Sequence, residues 1–228
     1  MSELSIVIPT YNAGDALRRS LPPLASMAAV GLLHEVILAD GGSDDATAAI
    51  AEDSGAVLIT APKGRGSQLA AGGDAARGAW LLFLHADTVL EPGWEDAVRT
   101  FIADPENADR AAYFGYRLDD RTPMACLLEA IVGLRCRLLR LPYGDQGLLI
   151  SREHYLRVGG FREIPLMEDV DIVRRIGRRR LSALPCNAVT SAVRYRRDGY
   201  LRRPLRNLFC LALYFLGVPP RSLLRFYG

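Results

Sequence analysis

Ala79-Trp80-Leu81-Leu82-Phe83-Leu84 is an unbroken apolar run that leads straight into His85-Ala86-Asp87-Thr88. A short run of bulky residues that ends in polar groups predicts a strand buried on both faces. In an open parallel sheet, ligands gather beyond the carboxyl ends of the strands. His85 and Asp87 are therefore expected at that edge. A carboxylate and an imidazole there suit a divalent cation, or the diphosphate it neutralises. A packed histidine and a solvated aspartate at a strand end fit this stretch equally well.

The residues before it repeat one pattern. Leu4 to Ile8 reads as a strand that Pro9 stops. A helix over 16–27 follows, complicated by Pro22-Pro23, with Asn12 or Asp15 as its cap. Glu35 to Asp40 is a second strand, and Ala46 to Ser54 a helix closed by Gly55. Val57 to Thr60 is a third strand. Lys63-Gly64-Arg65-Gly66-Ser67-Gln68 is a glycine-rich basic loop before a helix over 69–77. Strands that alternate with helices require right-handed crossovers and a parallel sheet. Each strand ends in polar or glycine residues, so Asp40, Lys63, Arg65 and Asp87 are expected on one edge.

The second half is less regular. Helices are predicted over 91–103, 123–141, 152–158, 165–179 and 205–216, and strands over 111–118, 148–150 and 189–195. Tyr143 to Gly147 is a loop, and a short tail follows Pro219-Pro220. No internal repeat or long linker divides the chain, so its 228 residues fit one α/β domain. Residues 1–100 and 101–200 would be its two functional halves, with 201–228 an apolar helix and tail.

A net charge of +2 is too mild to argue for nucleic acid. The charge is uneven, however, with arginines crowded between Arg174 and Arg206. Arginine forks match phosphate oxygens and anionic lipid surfaces, although most of these can be ordinary solvated cations. Cys126, Cys136, Cys186 and Cys210 form no C-x-x-C pair. With no secretory leader, they read as buried thiols in a reducing cytoplasm. The longest apolar candidate for a span, Leu208 to Val218, is far short of the roughly 18–20 residues a membrane helix needs.

Four motif tests fail. There is no G-x-x-x-x-G-K-[ST], the dinucleotide fingerprint is incomplete after Gly64-x-Gly66, G-x-S-x-G is absent, and no His/Cys cluster has zinc spacing. What remains is carboxylates, one lysine, arginines, backbone amides and a glycine-rich loop. Those are the parts that hold a nucleotide diphosphate and a metal.

At this point the order of the motifs matters more than any one of them. Ile6-Val7-Ile8-Pro9-Thr10-Tyr11-Asn12, Asp40-Gly41-Gly42-Ser43-Asp44-Asp45, Gly64-Arg65-Gly66-Ser67-Gln68 and Leu84-His85-Ala86-Asp87-Thr88 come first. Gly144-Asp145-Gln146-Gly147, Gly159-Gly160-Phe161 and Glu168-Asp169 follow. Together, over about residues 4–195, they resemble family 2 glycosyltransferases. The variant is similar to a bacterial subfamily of small single-domain members with His-Ala-Asp in the metal motif.

The resemblance implies a GT-A fold, with a mostly parallel sheet flanked by helices. It implies inverting transfer from a nucleotide-diphosphate sugar, UDP-linked by default. Pro9, Thr10 and Asn12 would line the nucleoside pocket, and Asp40 would accept from the base, flanked by Ser43 and Asp44. Lys63, Gly64, Arg65 and Gln68 would border the diphosphate and base. Asp87 would ligate Mg²⁺ or Mn²⁺. Asp169, beside Glu168, would be the general base, with Asp145 and Gln146 facing the transferred sugar or acceptor. Arg194 would meet phosphate. Two departures stand out. Ala13 occupies the place of an acidic residue that the family has after Tyr-Asn. His85 replaces the first metal-motif aspartate, so it would reach the ribose instead and strict metal dependence is less secure.

Plainer readings exist for several of these residues. Asp44 and Asp45 can simply cap a helix. Glu168-Asp169 at a helix start suits the macrodipole, whatever its chemistry. Gly159-Gly160 can be a helix stop, His34 and His154 surface residues, and Trp80 and Trp94 core. The apolar helices over 123–141 and 205–216 are core if packed. If exposed, they are homodimer or peripheral membrane contacts, and the flanking arginines favour a membrane with a lipid-linked or hydrophobic acceptor. The rival functions are a nucleotidyltransferase and a non-catalytic nucleotide-sugar-binding protein. The first would want its glycine-rich loop directly after the first strand; the intact Glu168-Asp169 pair speaks against the second.

Overall fold

The computed structural model describes residues 3–227. One eight-stranded sheet organises them. Its strands are β1 (Leu4–Thr10), β2 (Leu33–Asp40), β3 (Val57–Thr60), β4 (Trp80–Phe83), β5 (Thr88–Leu90), β6 (Ala111–Leu118), β7 (Leu148–Ser151) and β8 (Leu181–Thr190). They lie in the order β3-β2-β1-β4-β7-β6-β8-β5. β1, β2, β3, β4, β6 and β8 share one direction, whereas β7 and β5 run against them. The carboxyl ends of six strands therefore meet on one edge.

The helices are α1 (Gly14–Ser20), α2 (Ala25–Ala29), α3 (Thr47–Ser54), α4 (Arg65–Ala75), α5 (Trp94–Ala103), α6 (Pro123–Leu139), α7 (Arg152–Arg157), α8 (Glu168–Ile176), α9 (Val193–Asp198), α10 (Arg202–Phe215) and α11 (Pro220–Tyr227). Side chains alternate across a strand, and here both faces are apolar. Ile6, Ile8, Leu38 and Leu82 join Leu17, Met27, Ile50 and Trp94 in one layer. Val7, Ile37, Leu81 and Phe83 join Leu69, Leu128, Tyr155 and Ile172 in the other. That is why the central strands read as continuous apolar runs. α4 lies so close to β1 that a Cβ on Gly72 would stand 2.3 Å from Val7 Cγ1.

Several expectations are corrected. Pro9 does not stop β1, which runs on to Thr10 beside β2. Leu84 N–H donates to Val7 O on the β4 side, and β4 ends there. Two residues on, the missing Pro9 N–H points to that same side, where no ladder needs it. The helix over 16–27 is two helices, broken by a 3₁₀ turn at Pro22–Leu24. Neither Asn12 nor Asp15 caps α1; its first amides are taken by Asp45 and Thr47 from across the chain. The basic loop is short, because Arg65 already begins α4. The strand placed over 189–195 is β8, ending at Thr190, and Val193 starts α9 instead. β8 contains Pro185 and Asn187, and its pairing with β6 slips register between Tyr113 and Gly115. An apolar-run criterion passes over such a bulged strand. The tail after Pro219 is α11. His154 is fully buried rather than on the surface, while His34 is exposed and Trp80 and Trp94 are core.

Candidate active site

The carboxyl edge carries two adjoining clusters. The first sits beyond β1 and β2. Asp40 accepts from Thr10 Oγ1 (3.0 Å), Ser43 Oγ (2.5 Å), Ser43 N–H (2.8 Å) and Gly42 N–H (3.0 Å). Partial burial pushes its carboxyl up, but these hydrogen bonds together win and hold it below the usual carboxylate range. Asn12 has left-handed backbone, φ 49°. Its N–H donates to Ser43 Oγ (2.8 Å), and its Oδ1 accepts from Asp44 N–H (3.0 Å). The Lys63 ammonium lies 3.6 Å over the Tyr11 ring.

The second cluster lines a cleft of about 800 Å³, open mouth included. β4 delivers His85 and Asp87, α4 delivers Arg65, and the turn Gly144–Gln146 delivers Asp145. α8 brings Glu168 and Asp169, and Arg194 and Arg203 come from α9 and α10. Asp87, Asp145, Asp169, Arg65 and Arg194 are thus brought together from segments distant in sequence. Pro9, Thr10, Asn12, Asp40, Ser43, Asp44, Lys63, Gly64 and Gln68 do not line this cleft. Gln68 joins the two clusters. Its buried amide donates to Thr10 O (2.5 Å) and Ala39 O (2.8 Å), and its Oε1 accepts from Gly64 N–H (3.3 Å). One residue on, Arg65 faces the cleft.

Asp169 is held by two backbone donors. Gly144 N–H reaches Oδ2 at 2.8 Å, and Val170 N–H reaches Oδ1 at 2.7 Å. Met167, just before the pair, has left-handed backbone (φ 65°), a costly conformation for a residue with a side chain. It sets the angle at which α8 leaves the loop. Glu168 is buried, and burial pushes its carboxyl up to about 7 even though Arg65 Nε lies 3.4 Å from Oε1. Burial likewise pushes Asp145 up to about 6; Arg135 opposes this, and Asp169 and Asp87 add to it. Burial, aided by Arg65, pulls His85 down to about 4, so its ring is neutral near pH 7.

Gln146 does not face the cleft. Its amide accepts from Arg135 (3.1 Å) and donates to Phe114 O (3.0 Å) inside the fold. Tyr143, Thr190, Tyr195, Arg203 and Asn207 also line the cleft, although none was assigned to it from sequence. Arg203 and Asn207 share one face of α10 by their i, i+4 spacing, but Arg202 and Arg206 beside them are polar too, so the sequence alone does not single out the pair.

Metal binding can be judged from the donors. Asp87 makes no hydrogen bond or ion pair among the described residues, and Asp145 Oδ1 is buried without a hydrogen-bond partner. Among the described residues, no three His, Cys, Asp or Glu side chains are placed to cage an ion. A free carboxylate in a cleft shared with arginines fits a cation completed by substrate phosphates.

An α/β sheet that gathers carboxylates and arginines at its carboxyl edge in this order is the GT-A fold of nucleotide-diphosphate-sugar transferases. The glycosyl transferase family 2 model matches residues 5–155, and the chain belongs to that family. No curated protein matches the sequence significantly. Among solved structures, the chain is similar to S. aureus TarS 1–349 in complex with UDP, at 18% identity and TM-score 0.65, covering 83% of this chain and 60% of that one. It spans only 36% of a longer TarS structure. It is also similar to glucosyl-3-phosphoglycerate synthase from Mycobacterium tuberculosis in complex with Mn²⁺, UDP and glucosyl-3-phosphoglycerate. There the identity is 19%, the TM-score 0.58, and coverage 83% of this chain and 70% of that one. Mannosyl-3-phosphoglycerate synthase from Rubrobacter xylanophilus has 18% identity and TM-score 0.57, covering 79% and 64%.

Proposed function

We propose that this chain transfers a sugar from a UDP-sugar to an acceptor hydroxyl, with inversion at the anomeric carbon, and that Asp169 is the general base. One observation carries the reading: Asp169, Asp87, Arg65 and Arg194 open onto a single cleft. The Asp40 cluster takes the nucleoside side of the donor. Arg65 and Arg194 hold the diphosphate, and the neutral His85 reaches the ribose. Asp145 takes a hydroxyl of the transferred sugar or the acceptor. The acceptor oxygen bonds to the anomeric carbon as the bond to the diphosphate breaks, and its proton passes to Asp169. The two backbone donors on Asp169 leave lone pairs for that proton and fix its direction. A divalent cation, Mg²⁺ or Mn²⁺, held by Asp87 would neutralise charge on the leaving diphosphate.

This reading is tested with a panel of nucleotide sugars, with and without Mn²⁺, followed by thermal stabilisation and product analysis. UDP-sugars are expected to stabilise the chain and to release UDP on transfer. Asp169→Asn should keep donor stabilisation and lose turnover, and Asp87→Ala should lose the response to Mn²⁺. No stabilisation by any nucleotide sugar would overturn the reading. Release of pyrophosphate instead of UDP would point to a nucleotidyltransferase.

A further inference from the structure

Helix α10 has two faces with opposite duties. Arg203, Asn207 and Cys210 turn inward, the first two lining the cleft and the third fully buried. About half a turn away, at 100° per residue, Leu205, Leu208, Phe209 and Leu216 face solvent, 64%, 60%, 52% and 81% exposed. Leu224 and Phe226 of α11 extend the patch, and the Phe209 and Phe226 rings meet edge to face at 5.7 Å. α6 runs alongside. Near its start, Asp120 accepts from Tyr200 OH (2.6 Å) ahead of α10. At its end, Leu138 O accepts from Arg178 (2.5 Å), just past α8, while Arg174 of α8 covers the Phe215 ring of α10 at 5.0 Å. α6 also turns an apolar stripe outward at spacings of three and four, from Met124 to Leu138.

Such a surface is large for a soluble monomer, and its charge selects the occupant. From Gly199 to the end the chain has five arginines and no aspartate or glutamate. Arg202, Arg221 and Arg225 are exposed beside the apolar patch. A second copy related by two-fold symmetry would set arginine against arginine. An anionic bilayer would take the leucines and phenylalanines below its headgroups and pair the guanidinium forks with lipid phosphates. Among the described residues, no helix is long and apolar enough to cross a membrane, so such a helix lies in the interface. We infer that the α10–α11 face docks the protein on an anionic lipid surface. The mouth of the cleft then stands beside the headgroup layer.

Flotation of the full chain with vesicles tests this without any nucleotide sugar, so its outcome is separate from that of the donor reading. The chain should float with phosphatidylcholine vesicles containing phosphatidylglycerol and stay behind with phosphatidylcholine alone. Leu208→Asp/Phe209→Asp should lose flotation while keeping a cooperative melt, since both side chains are exposed and only the Phe209–Phe226 edge contact is given up. Arg221→Gln/Arg225→Gln should weaken vesicle binding roughly thirtyfold, at about fivefold per arginine. Retention in the soluble fraction with both vesicle types would overturn the inference. So would unchanged flotation of both variants, or a wild-type dimer that Leu208→Asp/Phe209→Asp converts to monomer with no vesicle binding in either.

Discussion

Gly144 N–H donates a 2.8 Å hydrogen bond to Asp169 Oδ2, tying the turn that carries Asp145 to the first turn of α8. The two segments are 25 residues apart, and the aim of the proposed base depends on both.

Gly144→Ala tests that coupling. A Cβ at this position would stand 2.6 Å from His85 Nε2 and 3.5 Å from Asp169 Oδ2. The histidine ring must yield, and the turn moves with it. Misplacing reacting groups by about 1 Å can cost on the order of a hundredfold in rate. The expected outcome is a kcat lowered by about ten- to a hundredfold, with some loss of donor affinity as His85 shifts and the melting temperature little changed. Steady-state kinetics beside a thermal melt will check it.

Gly66→Ala is expected to act through the backbone. A Cβ there would lie 2.4 Å from Ile164 O and 2.5 Å from Arg162 O, and neither can swing aside as a side chain can. The first turn of α4 would be pushed off the loop before α8, taking Arg65 away from Glu168. We expect a loss of stability of about 1–3 kcal/mol, typical of overpacking, and weaker donor binding. Urea unfolding and donor titration measure the two. An unchanged midpoint would show that the loop has room to move.

How much of this was legible depends on where each residue's partners lie. β6 was legible to the residue, because Ala111 to Leu118 is a largely apolar, aromatic-rich run that is buried on most positions. β5 was not, since three residues whose partners are in β8 leave no local pattern. Asp87 and Asp169, which the ordered motifs single out, line one cleft. The motifs did not reveal that Gln146 spends its amide on Arg135 and Phe114, or that His154 sits in the core, because both depend on contacts with distant segments. Nor does local sequence show that Arg203 and Asn207 turn toward the cleft while their leucine neighbours turn away.

Glu168→Gln isolates a pH effect. Burial pushes the folded carboxyl up to about 7, from 4.5 in an ordinary setting. Between those values the folded chain keeps a proton that the unfolded chain has released. Wild-type stability from this group is therefore full below about pH 4.5 and is lost as pH rises through 7. The glutamine variant lacks the titration, so its stability relative to wild type should grow from pH 5 to pH 8, by on the order of 2–3 kcal/mol. Taking the difference removes the opposing contribution of His85, whose lowered value costs stability on the acid side. Urea unfolding of both proteins at the two pH values is the measurement, and a flat difference would refute it.

Arg194→Ala separates binding from folding. The side chain is exposed at the cleft, and its guanidinium makes no hydrogen bond or ion pair among the described residues. Its positive charge is felt at His85, so it stands close to where the diphosphate is proposed to lie. Hydrogen bonds to charged groups contribute about 1.5–3 kcal/mol, so removing this one should weaken UDP binding roughly ten- to a hundredfold. The melting temperature of the ligand-free protein should not move, because no internal contact is lost. Arg194→Lys should recover only part of the affinity, since an ammonium cannot grip two phosphate oxygens as a planar fork does. Calorimetric titration with UDP would give the three affinities. Equal affinity of all three proteins would remove Arg194 from the diphosphate site while leaving Asp169 and Asp87 untouched.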